Sequence, residues 1–462
     1  MSVSLTEQLA GFLAETRLEM IPSEVLEAAR VYVLDWLGSA LAGSQASAGQ
    51  MLGRYAARQP GGEATAFGLP RGRSPAVAAL HNGGVSHILE MDDLERASVT
   101  HPGCVVIPAA LALAEARGSS GREFLAAVVL GYEIVIRVGE AVGKRHYYYW
   151  HNTATCGTFG AAAAAGWLLG LSAEQHVWSL GNAGTQSSGL WQFLPDGAMS
   201  KHLHAGHAAS GGLLAAELAQ EGFTGPRQIL EGERGFFAAT APDARPQRVV
   251  AGLDLGMRQY KLSGVSFKPY PSCRHTHPAV DAALRVHARL NGDAEAGRIQ
   301  QVQIDSYQAA LDLCDNPAPL HPYQAKFSLQ YCVGRALLQG RLTLPDFEPE
   351  RLGETAIQAL IGRTTTRLET AMDERYPREW PSRVTVTLTD GRTVAETVDN
   401  PKGDPENPLS AAESALKFRG MLVATPFEAN ADALVALVES LPDAPSMRDL
   451  FPRAIGALSP AR

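Results

Sequence analysis

The chain has 462 residues, 45% hydrophobic and 19% charged, with a net charge of −8. That length exceeds one ordinary core, so two domains are expected. The acidic balance, with a pI near 5.9, argues against a nucleic-acid or anionic-membrane surface, and any pocket for anions must be built locally.

In chain order, MSVSLTEQLAGFLAETR carries Glu7 and no basic region, unlike a signal peptide. Leu5, Leu9, Phe12 and Leu13 have helical spacing over 4–17. Ser23 is expected to cap a second helix, through Val25, Ala29, Val33 and Trp36, that stops near Gly43. Residues 59–73, rich in Gly and Pro, read as a loop. Helices are expected over 74–88, 105–117, 121–142, 154–170, 172–183 and 200–221. TCGTFGAAAAAGWLLG and HAASGGLLAAELAQ suit closely packed helices, or a symmetric interface between subunits. No fixed-period repeat is present, nor any run of 18 apolar residues. Five scattered cysteines without CxxC spacing fit a reducing, cytoplasmic setting.

The texture changes after Ala241. Residues 302–304 alternate like a strand, and RVTVTLTDGRTVAETV (383–398) is a hairpin with Asp390-Gly391 suited to a type I′ turn. An apolar helix is expected over 325–339, a loop over 401–409, and helical pattern from Leu409 to Leu458. That tail can pack back on the first domain, making the α+β part an insertion.

Four segments hold candidate chemistry. Asp92, Asp93 and the His-Pro-Gly turn at His101 lead straight into an apolar run, where ionisable groups are costly unless paired. A carboxylate beside an imidazole fixes its tautomer and raises its basicity; the plainer reading is a helix cap and a turn residue. His151 and Thr153, in the segment Trp150-His151-Asn152-Thr153, follow the aromatic run 147–149 and precede a small-residue helix. An anion could bind the helix N–H groups there behind an aromatic wall, or the run is an interface patch. Lys201, His202, His204 and His207 suggest a metal by their HxHxxH spacing. On a regular helix, however, His202 points about 200° away from His204, so the three cannot share one ion. Lys201 and His204 do share a face, and a Lys opening a buried helix suits an anionic substrate. Lys268, Cys273, Arg274, His275 and His277 crowd a Pro-rich loop. This concentration of potential cations suits a polycarboxylate or phosphate, or marks a solvated domain junction. Cys273 is a candidate nucleophile with no one base paired to it. GxGxxG after a strand, a complete P-loop, HExxH and GxSxG are all missing.

Together these segments resemble the MmgE/PrpD family, which includes 2-methylcitrate dehydratases, cis-aconitate decarboxylases and iminodisuccinate epimerases. The likeness runs through HILEMDD, HPG and IPAALALAE (87–115), HNTATCGTFGAA, GTQSSGLWQF, GAMSKHLHAGHAA, KPYPSCRHTHPAVDA, KFSLQY and KGDPENPL. It implies a mainly α protein with an α+β second domain: a large helical domain from 1–265 and 403–462, and a smaller lid over 266–402. It also implies a homodimer, no metal and no organic cofactor. The family's catalytic positions fall on Asp93, His101, His151, Lys201 and Lys268. Asp92, Thr153, His204, Cys273, Arg274, His275 and His277 are expected around the substrate. Decarboxylase-like members place a histidine at the position of Cys273, which weakens that reaction here.

The chemistry the resemblance implies is proton movement beside a carboxylate of a small di- or tricarboxylate. Lys201 and Lys268 would stabilise the developing charge, and His101 and His151 would serve as base and acid. Dehydration of a hydroxy acid leads, with epimerisation of an imino-dicarboxylate as the alternative and decarboxylation behind both. A metal-dependent hydrolase and a non-catalytic scaffold are the readings outside this class.

Overall fold

Helix starts are set by side-chain caps. Ser4 with Glu7, Ser120 with Glu123, Ser172 with Gln175 and Ser410 with Glu413 each form a reciprocal capping box. The computed structural model describes residues 3–70, 72–254, 259–291, 295–448 and 450–451. Its first part runs α1 (Leu5–Glu15), α2 (Ser23–Gln45), α3 (Ser47–Ala57), β1 (Gly61–Ala64), α4 (Pro75–Ser86), β2 (Leu94–Glu95), α5 (Gly103–Arg117), α6 (Gly121–Val142), α7 (Lys144–Tyr149), α8 (Asn152–Leu168), α9 (Ala173–Gln186), α10 (Phe193–Asp196), α11 (Ser200–Gln220) and α12 (Phe236–Thr240). Several details depart from the sequence reading. Pro22, not Ser23, is the cap of α2. The helix runs past Gly43, and α3 follows at once. The loop 59–73 contains β1, and the aromatic run is the short helix α7.

Helices α4, α5, α8, α9 and α11 pack on one another, with α6 against α8. Small residues make this possible. A Cβ on Gly206 of α11 would lie 2.2 Å from the Leu80 carbonyl oxygen of α4, and one on Gly212 would lie 2.5 Å from Ala161 Cβ of α8. The small-residue stripes therefore serve packing within the chain.

The second part holds a sheet of order β5-β4-β6-β7. Here β3 is Val265–Ser266, β4 Ile299–Ser306, β5 Thr364–Leu368, β6 Ser382–Leu388 and β7 Thr393–Val398. β4 is parallel to β5 and antiparallel to β6. Val384, Val386 and Leu388 alternate inward along β6. They meet α13 (His277–Leu290), which packs on β6, β7 and α16 (Leu329–Gln339). Between α13 and α16 lie α14 (Gln308–Cys314) and α15 (Pro322–Ala325). The hairpin differs from a type I′ turn. Leu388 N donates to the Arg392 carbonyl at 2.8 Å, so Thr389, Asp390 and Gly391 bridge the strands. Of these only Gly391 has positive φ, at 86°, giving a turn closed by a left-handed glycine.

The protein is thus mainly α with a smaller α+β part. Two large hydrophobic clusters fill it, one among the N-terminal helices and one between the sheet and its helices, and a third, smaller one joins Leu94 to Tyr307, Ala310, Tyr376 and Trp380. Phe418, Met421, Leu422 and Leu434, from the C-terminal helices Ala411–Leu422 and Ala431–Glu439, belong to the first cluster. The helical pattern expected up to Leu458 lies outside the described residues beyond 451. Among the described residues no helix is long and apolar enough to cross a membrane.

Candidate active site

Two short pieces of backbone bring distant residues together. Glu95 and Thr100 exchange N–H···O bonds at 2.9 and 3.3 Å, closing a tight loop that returns His101 to Asp92 and Asp93. Val99 turns that loop with φ of 50°. β2 pairs antiparallel with β3, Leu94 opposite Ser266, so Lys268 follows directly beside residues 90–93. Lys201 arrives from the first turn of α11.

Glu90 is where these pieces converge. Its carboxylate is buried and its backbone is left-handed, φ 59°. It pairs with Lys201, with Lys268 Nζ at 3.2 Å, and accepts from Tyr323 OH at 3.2 Å. Burial alone would raise its pKa, but the Lys201 and Lys268 ammonium groups override this and hold it well below the usual carboxylate range. Lys201 Nζ also sits 5.1 Å from the centre of the Phe327 ring. Lys326 Nζ donates to the Leu89 carbonyl at 2.7 Å, and burial pushes its pKa down to about 8.

Three imidazoles lie beside this group. His101 Nδ1 is 2.6 Å from the Asp93 carbonyl. A carbonyl only accepts, so Nδ1 carries the proton and Nε2 is left as the basic nitrogen. His87 Nδ1 is 2.6 Å from Asp92 Oδ2, which also lies 3.4 Å from His101 Nδ1. The His87 ring is edge-on to His101 at 4.9 Å and stacked on His151 at 5.4 Å. Asp92 is buried, yet the His87 and His101 imidazoles keep its pKa below the ordinary value. Burial instead pushes Asp93 up to about 8, against an opposing bond from Tyr132 OH at 2.6 Å. Its other oxygen accepts from Gly103 N at 3.0 Å, capping α5. Asp93 thus orients His101 through its main chain, and the charge beside that imidazole belongs to Asp92.

Burial, with the charges of neighbouring cations, lowers the pKa of His101 and His151 well below the usual imidazole value. Both stay neutral as pH falls through about 6.5. With a substrate whose carboxylates remain ionised, the acid limb of kcat/KM is expected below about 6.5. A limb at or above that value in a pH–rate profile would assign the base to another group.

The groups enclose a cavity of about 20 Å³, lined by Glu90, Leu94, Val99, His101, Tyr147, His151, Trp191, Lys201, Cys273, Arg274, His275, Phe327 and Trp380. That is room for about one water. A groove of about 1140 Å³ lies outside, sharing Val99, Tyr147 and Trp191 with the inner cavity. The ionisable cluster faces the inner one.

Of the residues singled out in sequence, His101, His151, Lys201, Cys273, Arg274 and His275 line this cavity. Lys268 stands behind Glu90. Thr153 does not line it; its Oγ1 accepts from His101 N at 3.1 Å. His204 lies against His151, ring centres 5.6 Å apart. His277 is turned away, taking a bond from Arg274 Nη1 at 2.9 Å and meeting the Ser272 carbonyl at 3.2 Å. Arg274 is engaged with Asp404, which also meets Arg96 Nη1 at 3.1 Å, so the 401–409 loop anchors the site. His202, His204, His207, His275 and His277 form no metal-like group among the described residues. His87, Asp92 and Cys104 do lie within 4.8 Å of one another, but His87 and Asp92 are already hydrogen-bonded to each other.

Glu90 and His87 escaped the sequence reading. Both stand in the HILEMDD block, where the paired aspartates are the residues that stand out as candidate chemistry.

Buried lysines on an internal carboxylate beside a cluster of imidazoles form an arrangement that can support general acid–base chemistry on an anion. The chain matches the MmgE/PrpD N-terminal domain over residues 7–249 and the MmgE/PrpD C-terminal domain over 270–443. It belongs to the MmgE/PrpD family. It is 27% identical to the cis-aconitate decarboxylase-like protein oryM of Aspergillus oryzae, covering 90% of each chain. It is likewise 27% identical to the cis-aconitate decarboxylase of Mus musculus, over 95% of this chain and 91% of that one. The likeness to the 2-methylcitrate dehydratase of Cupriavidus necator, 29%, spans 53% of this chain and 51% of that enzyme.

Proposed function

We propose that the protein is a lyase that removes a proton beside a carboxylate of a small di- or tricarboxylic acid, and that its reaction is dehydration of a hydroxy acid. The observation that carries this is the His101 geometry: a buried imidazole of fixed tautomer, 3.4 Å from Asp92, on the same cavity as Lys201. His101 Nε2 takes the proton from the carbon next to the carboxylate. Negative charge moves onto the carboxylate oxygens, where Lys201, with Lys268 behind it, stabilises it. The Asp92 charge stabilises the imidazolium formed. A bound substrate anion raises the proton affinity of His151, which delivers a proton to the departing β-hydroxyl as water. No step in this scheme calls for an organic cofactor.

Decarboxylation is the second reading, supported by relatives of that name matching over nearly the whole chain. Cys273, standing where decarboxylase-like members place a histidine, speaks against it. In the same reading 1–265 with 403–462 form one domain and 266–402 the lid, which the two large hydrophobic clusters support. A cytoplasmic homodimer remains part of the proposal.

Proton NMR in D₂O with citrate, 2-methylcitrate, malate, cis-aconitate and iminodisuccinate tests the reaction. A new vinyl signal from a hydroxy acid is the expected result. Loss of CO₂ from cis-aconitate would replace dehydration by decarboxylation. Deuterium at Cα without net change would replace it by epimerisation, and silence across the panel would reject the proposal.

A further inference from the structure

The inner cavity of about 20 Å³ is too small for a dicarboxylic acid and is closed over most of its wall. All the residues that line it are buried except Val99, Tyr147 and Trp191, which are half-buried. The same three residues also line the outer groove of about 1140 Å³. Burial and lining therefore mark the same place, where a single layer of residues parts the ionisable cluster from an open groove.

The three residues are not held alike. Val99 is fixed by its backbone, at the turn of the loop that the Glu95–Thr100 bonds close. Trp191 Nε1 donates to the Trp150 carbonyl at 2.9 Å. Its ring packs edge-on to His151 at 5.1 Å and tilted on Phe193 at 5.4 Å. Tyr147, on the short helix α7, is tied by less. Its hydroxyl lies 3.4 Å from His275 Nε2, and its ring meets the edge of Trp191 at 5.5 Å. A contact of that length is a weak hydrogen bond. Water in the groove can replace it, so turning the side chain outward leaves no buried polar group unsatisfied. The groove has room for the ring and the inner cavity has none, so the ring can only move outward.

Resting on the inner cavity as the place where ligands act, we propose that small carboxylic acids reach it from the outer groove, and that the Tyr147 side chain is the gate. Val99 and Trp191 are the fixed frame. Tyr147 swings into the groove to admit a ligand and returns to seal the cavity from water.

Cys273, which lines the inner cavity and not the groove, reports on the gate without any substrate. The full chain is treated with methyl methanethiosulfonate, and modified peptides are followed by mass spectrometry. The Cys273 thiolate attacks the thiosulfonate, forming a methyl disulfide and releasing methanesulfinate. An open state about 0.1–10% populated implies that Tyr147→Ala labels Cys273 at least about tenfold faster than wild type. Tyr148→Ala, which changes a groove residue outside the cavity wall, is expected to leave the rate unchanged. Cys104 and Cys156, wholly buried among the N-terminal helices, report on the fold. If they too are labelled in Tyr147→Ala, Tyr147→Leu, which keeps more of the apolar packing, decides with the same expected ratio. A Cys273 rate that does not rise when Tyr147 is shortened, or that rises equally in Tyr148→Ala, overturns the inference. Silence in the D₂O experiment, together with the expected labelling, would reject the lyase reading and leave the route standing.

Discussion

His101→Ala is expected to lower kcat/KM by about 10²–10⁴-fold, the usual contribution of a positioned general base. The variant also loses the imidazole edge against His87 and the bond to the Asp93 carbonyl, so packing and chemistry must be separated. His101→Asn does this. Its amide N–H₂ occupies roughly the place of Nδ1–H and can still donate to that carbonyl, but nothing remains at Nε2 to take a proton. If His101 is the base, Asn is as inactive as Ala, and deuterium exchange at the substrate carbon falls with turnover. If Asn recovers most of the activity, His101 acts by position and the base is His151. Circular dichroism and thermal unfolding of both variants check that the fold is kept.

The helical part was readable because its signals are local. Capping boxes at Ser120–Glu123 and Ser172–Gln175 and the 3.6-residue spacing of apolar positions mark α6 and α9 without tertiary information. The departures fall where context decides. Residues 47–57 lack a side-chain cap, and α3 forms because Gly49 can sit against the end of α2, its added Cβ falling 2.0 Å from the Gly43 carbonyl. The Asp390-Gly391 pair fits several turns, and only the strand register selects the one formed. At the site, Lys201 and Lys268 are 67 positions apart and were each legible as cations out of place in an acidic chain. Their common partner was not. Glu90 sits in the apolar run HILEM, and nothing local shows that its backbone turns left-handed to present the carboxylate to both. Arg274 shows the reverse limit: its charge was legible, but its engagement with Asp404, 130 positions on, depends on the return of the 401–409 loop.

Glu90→Gln should therefore destabilise the protein strongly at neutral pH. It removes the one carboxylate shared by two buried ammonium groups, and stranding buried charge costs about 3–5 kcal/mol. The pH dependence identifies the cause. Glu90 has a folded-state pKa well below its ordinary 4.5. The stabilisation it brings is complete above about 4.5 and is lost as pH falls toward the depressed folded value. The gap in unfolding free energy between wild type and Glu90→Gln is thus expected to be wide at pH 7 and to shrink on acidification below about 4.5. A gap that stays constant over that range in urea titrations would mean that shape, not charge, is what the position supplies. Backbone strain adds a second signature. A non-glycine residue at φ 59° costs about 1–2 kcal/mol, which glycine avoids. Glu90→Gly should accordingly be the more stable of the pair Glu90→Gly and Glu90→Ala, although both lose the ion pairs. That ordering would show that the chain accepts a left-handed turn at residue 90 for the sake of placing a carboxylate between Lys201 and Lys268.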